Sequence, residues 1–187
     1  MAVKKSARKQ KKIWFNIVTP KELGNYTVGE TPALEPQQLV GRNVRVNLMN
    51  ILNDPKKQNI QITFNIKSVR DKNAITEITR YEVLPSYVKR MVRKGRNKVE
   101  DSFVAETKDR IKVRIKPLMI TRTKTQRSTL TGLKNKAREF IIEKLKTQNF
   151  ADLINDVVST KFQREMREKL AKIYPLALCE FKMITRT

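Results

Sequence analysis

Histidine is absent from the 187 residues, and cysteine occurs once, as Cys179. The first absence removes the usual general base, the usual metal ligand and any Ser–His or Cys–His pair. A single cysteine makes neither a disulfide framework nor a zinc site, which fits a reducing cytoplasm. Aromatic residues are 6% of the chain, with no run of them to stack single-stranded bases. Glycines number five, too few for a low-complexity tail. No apolar run approaches the roughly 18 residues needed to span a bilayer. The opening MAVKKSARKQKKIW is basic but has no apolar core or small-residue cleavage site, so it does not read as a secretory signal.

Acids are also scarce: 18 Asp and Glu stand against 41 Lys and Arg, a formal charge of +23. Such a charge repels itself in a compact chain. The partner it points to is a polyanion, nucleic acid first, because each phosphate contact releases counterions. The longest expression of the imbalance is Arg110–Arg138, with ten basic residues and no acid between Asp109 and Glu139.

The chain still has a core to build, with 39% hydrophobic residues in regular periods. Residues 1–12 have almost nothing to bury and read as a basic arm that orders on its partner. Residues 13–187 read as a single domain. Ile13, Phe15 and Ile17 alternate as a strand ending at Thr19-Pro20, and residues 20–41 read as a long irregular connection. Further strands are expected at Val44–Leu48, Ile60–Ile66, Ile75–Val83, Val99–Thr107, Arg110–Lys116 and Ala177–Met183. A short helix capped by Ser86 and closed by Gly95 is inserted at Ser86–Arg93. From about Thr131 the period becomes helical, in three helices, with Ser159 or Thr160 capping the last and Tyr174-Pro175 stopping it. The expected fold is α+β: a mixed or antiparallel, barrel-like sheet of about seven strands, one inserted helix and a C-terminal helical group.

Catalytic readings are weak. The pairs Glu100-Asp101 and Asp152/Asp156 read as solvated charge or as ion pairs with the abundant lysines. Gly24–Thr31 follows the phosphate-loop pattern G-x-x-x-x-G-K-[ST], except that Glu30 stands where the lysine must reach phosphate. The charge is reversed and Pro32 follows, so no nucleotide site is assigned; no cofactor, metal or small-molecule substrate is expected.

Three basic clusters carry the functional reading. They are the arm (Lys4, Lys5, Arg8, Lys9, Lys11, Lys12); the inserted helix and its exit (Lys89, Arg90, Arg93, Lys94, Arg96, Lys98); and the acid-free stretch (Arg114, Lys116, Arg122, Lys124, Arg127, Lys134, Arg138). In Arg110–Lys116, basic residues alternate with Ile111, Val113 and Ile115, giving one core face and one positive row. Thr121–Thr131 mixes hydroxyls with cations, as suits a loop that meets phosphate and ribose oxygens and is ordered by its partner. Recognition by backbone and shape is expected rather than base reading. Trp14 is expected to be partly buried, with RNA or protein contact as the alternative. A processing enzyme and a free-standing nucleic-acid-binding regulator are the rival readings.

Several segments together resemble one family: KIWFNIVTP, GRNVRVNLMNILND, the Asn73–Val83 strand leading into the basic helix, ITRTKTQRS and IYPLALCEFKMI. They resemble the archaeal and eukaryotic small-subunit ribosomal protein family S-one-e, also called S-three-A-e, over nearly the whole chain. The brief arm and the stop at Thr187 fit its archaeal branch. The resemblance implies a structural place on the platform of the small subunit, near the 3′ end of its rRNA and the mRNA exit. It implies rRNA, neighbouring platform proteins and mRNA as partners.

Overall fold

Strand β1 (Ile13–Val18) turns Phe15 and Ile17 inward, as their alternation requires. In the computed structural model, which describes residues 11–187, contacts of these residues gather in two compact units: one runs to Val44 and takes in Phe64–Glu77, and the other is Arg45–Thr63 with Ile78–Thr187. Strands β3 (Asn43–Asn47), β4 (Ile60–Arg70) and β5 (Asn73–Val83) run through both.

In the first unit β1 pairs antiparallel with β2 (Thr27–Ala33) and parallel with the start of β5, so the sheet is mixed. Phe15, Ala33, Leu39, Ile66 and Ala74 form its core. The β1–β2 connection closes on Thr19, whose Oγ1 accepts from the Tyr26 N–H at 2.8 Å. Gly24 has φ +93°, and a Cβ there would lie 2.6 Å from the Tyr26 ring, so only glycine fits. Strand β2 and two 3-10 turns, Lys21–Leu23 and Pro36–Leu39, replace the expected irregular connection. Gly29 and Pro32 hid this strand; it pairs on one side only, and an edge strand tolerates both. Gly24–Thr31 is thus a turn running into a strand, not a loop opening a helix. Trp14, opposite Pro32, is 59% exposed rather than partly buried.

The second unit holds five helices. Helix α1 (Leu48–Leu52) starts where Asn47 Oδ1 accepts from the Met49 N–H, so Leu48 ends no strand. Helix α2 (Pro85–Met91) begins with proline in its first turn, and no side chain caps it; Ser86 is inside the helix. It closes at Val92, short of Gly95. One expected strand divides at Asp101-Ser102 into β6 (Lys98–Glu100) and β7 (Phe103–Glu106). Both pair with β8 (Lys112–Thr121). Helix α3 (Arg127–Thr147) starts four residues before the expected Thr131, because its first turn carries no buried apolar residue. Helices α4 (Phe150–Val158) and α5 (Lys161–Ala171) follow; Thr160 precedes α5 at φ +62° without a side-chain capping bond.

Strand β9 (Leu176–Arg186) lies between β5 and β8. Its partners skip at Ala177 and again at Lys182. These bulges rotate the inward set, so Leu176, Cys179, Phe181 and Ile184 are buried where plain alternation expects Ala177 and Met183. Pro117 sits at the second irregularity, where a missing N–H costs no ladder bond. Phe162 packs edge-on between Phe140 and Phe181, at 5.7 and 5.1 Å between ring centroids.

Among the described residues, nine strands and five helices bear out the mixed α+β architecture, with two more strands than the seven expected. In neither unit does the strand order return on itself, so the sheet is open and not barrel-like. No helix among the described residues is long and apolar enough to cross a membrane.

Candidate nucleic-acid interface

The helix α3 N-terminus is built against the usual preference. Gln126 makes no side-chain capping bond, and the first turn holds no acid. Arg127 is the first helical residue, and Arg122 and Lys124 precede it, all exposed. A helix start carries partial positive charge from its free N–H groups, so cations there are unfavourable in the isolated protein. The same N–H groups and cations together suit a bound anion.

The preceding loop is held by its own chain. Asn97 is the anchor: its Oδ1 accepts from the Thr125 N–H at 3.0 Å, and its N–H donates to Thr121 Oγ1 at 2.9 Å. The Thr121 N–H donates back to the Asn97 carbonyl at 3.0 Å, and Thr121 Oγ1 donates to the Thr123 carbonyl at 2.7 Å. Thr121 is fully buried and Thr123 bonds the Tyr174 hydroxyl. The expected partner-ordered loop of Thr121–Thr131 is therefore a short segment fixed by these bonds, followed by the start of α3.

This network joins two sequence clusters. Arg96 adjoins Asn97, and Arg93 and Lys94 lie just before it, all exposed, so the exit of α2 is tied to the Arg122–Arg127 segment. Lys89 and Arg90 are exposed on α2; the Arg90 guanidinium donates to Asn59 Oδ1 at 3.0 Å and lies 5.6 Å from the Tyr87 ring centre.

Arg114 and Lys116 stand elsewhere, on the sheet face opposite Val113 and Ile115, about 20–25 Å along the strand from Arg122. Across the strands Arg114 is level with Val104 and Thr185, and Thr185 with Arg80, which pairs with Glu82 at 2.8 Å. Lys134 is spoken for: its ammonium lies 3.2 Å from Asp101, whose side chain is 9% exposed. Arg138 lies 5.2 Å over the Phe103 ring. Lys134 thus fastens α3 to the junction between β6 and β7, and Arg138 fastens it to β7. Lys98 and Lys182 flank Glu100 at 3.1 and 3.3 Å. Burial pushes that carboxyl upward, but the two ammonium partners outweigh it and hold the group below its ordinary value.

Lys11 and Lys12 are exposed just before β1, in the first unit. Lys4, Lys5, Arg8 and Lys9 lie outside the described residues. Asn97 and Arg80 went unread, since a lone asparagine or a strand arginine carries no pattern of its own.

Comparison with known proteins gives this basic α+β chain its class: it is a ribosomal protein. Residues 2–185 match the model of the Ribosomal S3Ae family, and the chain belongs to that family. It is 34% identical over 172 residues to small ribosomal subunit protein eS1 of Nanoarchaeum equitans, covering 92% of this chain and 87% of that one. The protein of the same name from Methanobrevibacter smithii is 32% identical over 171 residues, 91% of this chain and 89% of the relative. That of Haloarcula marismortui is 30% identical over 180 residues, 96% and 84% respectively.

Proposed function

We propose that this chain is a structural component of the small ribosomal subunit in the cytoplasm, bound to rRNA through phosphates. The observation that carries this is the uncapped, acid-free start of α3 with Arg122, Lys124 and Arg127 around it. A 21-residue helix that places cations at its own positive end gains from an anion there, and RNA offers a row of them. Arg93, Lys94 and Arg96, tied in through Asn97, extend the contact; Arg114 and Lys116 form a second one on the sheet face. Lys89 and Arg90 flank the first contact, and residues 1–12 act as an arm that follows the RNA. Lys134 and Arg138 contribute field while holding α3 in place. The family membership and the names of the relatives support a ribosomal role without catalysis. The platform near the rRNA 3′ end, with its proteins and exiting mRNA as neighbours, is the place the family resemblance favours.

The test is a salt titration on one small-subunit rRNA fragment. Changing Arg122, Lys124 and Arg127 together to Ala leaves the fold intact by circular dichroism. The slope of log K against log salt falls in magnitude by about 2 to 3, since each lost contact removes roughly 0.7 to 0.9. An unchanged slope with an intact fold refutes the phosphate site.

A further inference from the structure

A second, smaller feature of the larger unit is unlike the open basic surface. A cavity of about 350 Å³ is enclosed by the Pro55–Lys57 turn, the start of β4, α2, the α4–α5 junction and β9. Its wall includes Lys56, Lys57, Asn59, Tyr87, Arg164 and Glu180. We infer that this cavity receives one unpaired guanine nucleotide of RNA, with its base edge on Glu180, its ring against Tyr87 and its phosphate near Lys56, Lys57 and Arg164. The inference rests on the reading that the chain binds RNA and names what one part of it takes.

The argument starts from charge. Asp54 also lines the cavity, but its carboxylate is engaged, accepting from the Lys56 N–H at 3.0 Å. Glu180 is different. Its carboxylate accepts from Gln163 Nε2 at 3.5 Å, a long contact for a group with about four acceptor positions. Burial raises its pKa by disfavouring the charged form, and the Gln163 bond offsets this only in part. A ligand that offers N–H groups in parallel would repair that deficit. Guanine does so with its ring N1–H and its 2-amino group side by side. Uracil offers one N–H between two carbonyl oxygens, which face a carboxylate unfavourably. Adenine and cytosine offer a single amino group beside an acceptor nitrogen.

The remaining walls fit a nucleotide. Tyr87 is half-buried at the cavity, and its ring is steadied by the Arg90 guanidinium, itself held by Asn59 Oδ1. Base–aromatic stacking accepts any base, so the ring supplies affinity and the carboxylate supplies choice. Thr160, a β-branched residue held at φ +62°, forms part of the wall. Such backbone strain persists where the surroundings over-determine it, and it clusters at ligand sites. The volume lies at the low end for small-molecule pockets, room for one nucleotide and no more. A cationic side chain from a neighbouring protein would also suit Glu180, but it must pass Lys56, Lys57 and Arg164. A free anion would suit those cations and be repelled by Glu180.

The test compares two single-stranded RNA pentamers of equal charge, UUGUU and UUUUU, on the full chain. Wild type binds UUGUU roughly tenfold more tightly, the discrimination expected of one good bidentate contact. Glu180→Gln narrows the ratio to within about twofold and leaves UUUUU binding unchanged or tighter, since a negative charge is gone. Tyr87→Ala weakens UUGUU, and circular dichroism checks both variants. Equal affinity of wild type for the two pentamers overturns the guanine site while rRNA binding stands. Displacement of UUGUU by an arginine-containing peptide better than by guanosine monophosphate assigns the cavity to a protein side chain instead. Failure of both pentamers and of the rRNA fragment to bind defeats the RNA reading as well.

Discussion

Asn97 Oδ1 accepts the Thr125 N–H across 28 residues of sequence, at 3.0 Å. The bond fixes the spacing between the exit of α2 and the residues that lead into α3. Changing Asn97 to Ala removes the acceptor and leaves the Thr125 N–H without it, at a cost of about 1–3 kcal/mol. The expected result is faster tryptic cleavage after Arg122 and Lys124 together with a lower urea midpoint. Asn97→Asp keeps an oxygen at the same place and recovers part of the protection. Cleavage at the wild-type rate in the alanine variant would show that the loop is held by something else.

Phe162 is fully buried between two other rings. Truncation to Ala opens a cavity in a packed core and costs about 3–5 kcal/mol. Denaturant unfolding measures it; a loss under about 1 kcal/mol would mean that α5 is not docked as described.

Cys179 is a buried free thiol whose pKa is pushed up to about 12, first by burial and then by neighbouring Glu180. The thiolate is the reactive form, so a thiol reagent at pH 8 leaves the native protein unmodified and labels it fully in denaturant. Rapid labelling of the native chain would contradict this burial.

Two carboxylates titrate in opposite senses. Glu100 lies below its ordinary pKa in the folded chain, so its stabilisation is present above the unfolded value and fades as pH falls through the folded one. Glu180 lies above its ordinary pKa through burial, so its favourable state is full at low pH and is lost as pH rises through the folded value. Glu100→Gln is thus less stable than wild type at neutral pH, with the gap closing in acid. Glu180→Gln is more stable than wild type at neutral pH, again converging in acid. Urea midpoints at both pH values check the pair of signs.

The strands that were legible share one property: a single buried face that speaks through alternation, as in Ile62, Phe64 and Ile66 of β4. What escaped depends on partners distant in sequence. Strand β2 is stitched to β1 despite Gly29 and Pro32, and only the pairing reveals it. The first turn of α3 buries nothing, so its onset at Arg127 left no periodic trace. In β9, Ile184 rather than Met183 turns inward because Lys182 bulges against Pro117, a choice made between two strands. The candidate site divides the same way. The excess of cations was countable, but Lys134's engagement by Asp101 and the role of Asn97 follow from tertiary placement.

The place of β9 bears on how a newly made chain survives until it is complete. β9 fills the slot between β5 and β8, yet it is synthesised after both. Until it arrives, each of those strands presents an unpaired edge, the kind of surface on which nascent chains stick to one another. The positive charge already carried, most of the full chain's +23, repels other copies during that interval. The same lysines and arginines would then act first as an anti-aggregation shield and later as an adhesive.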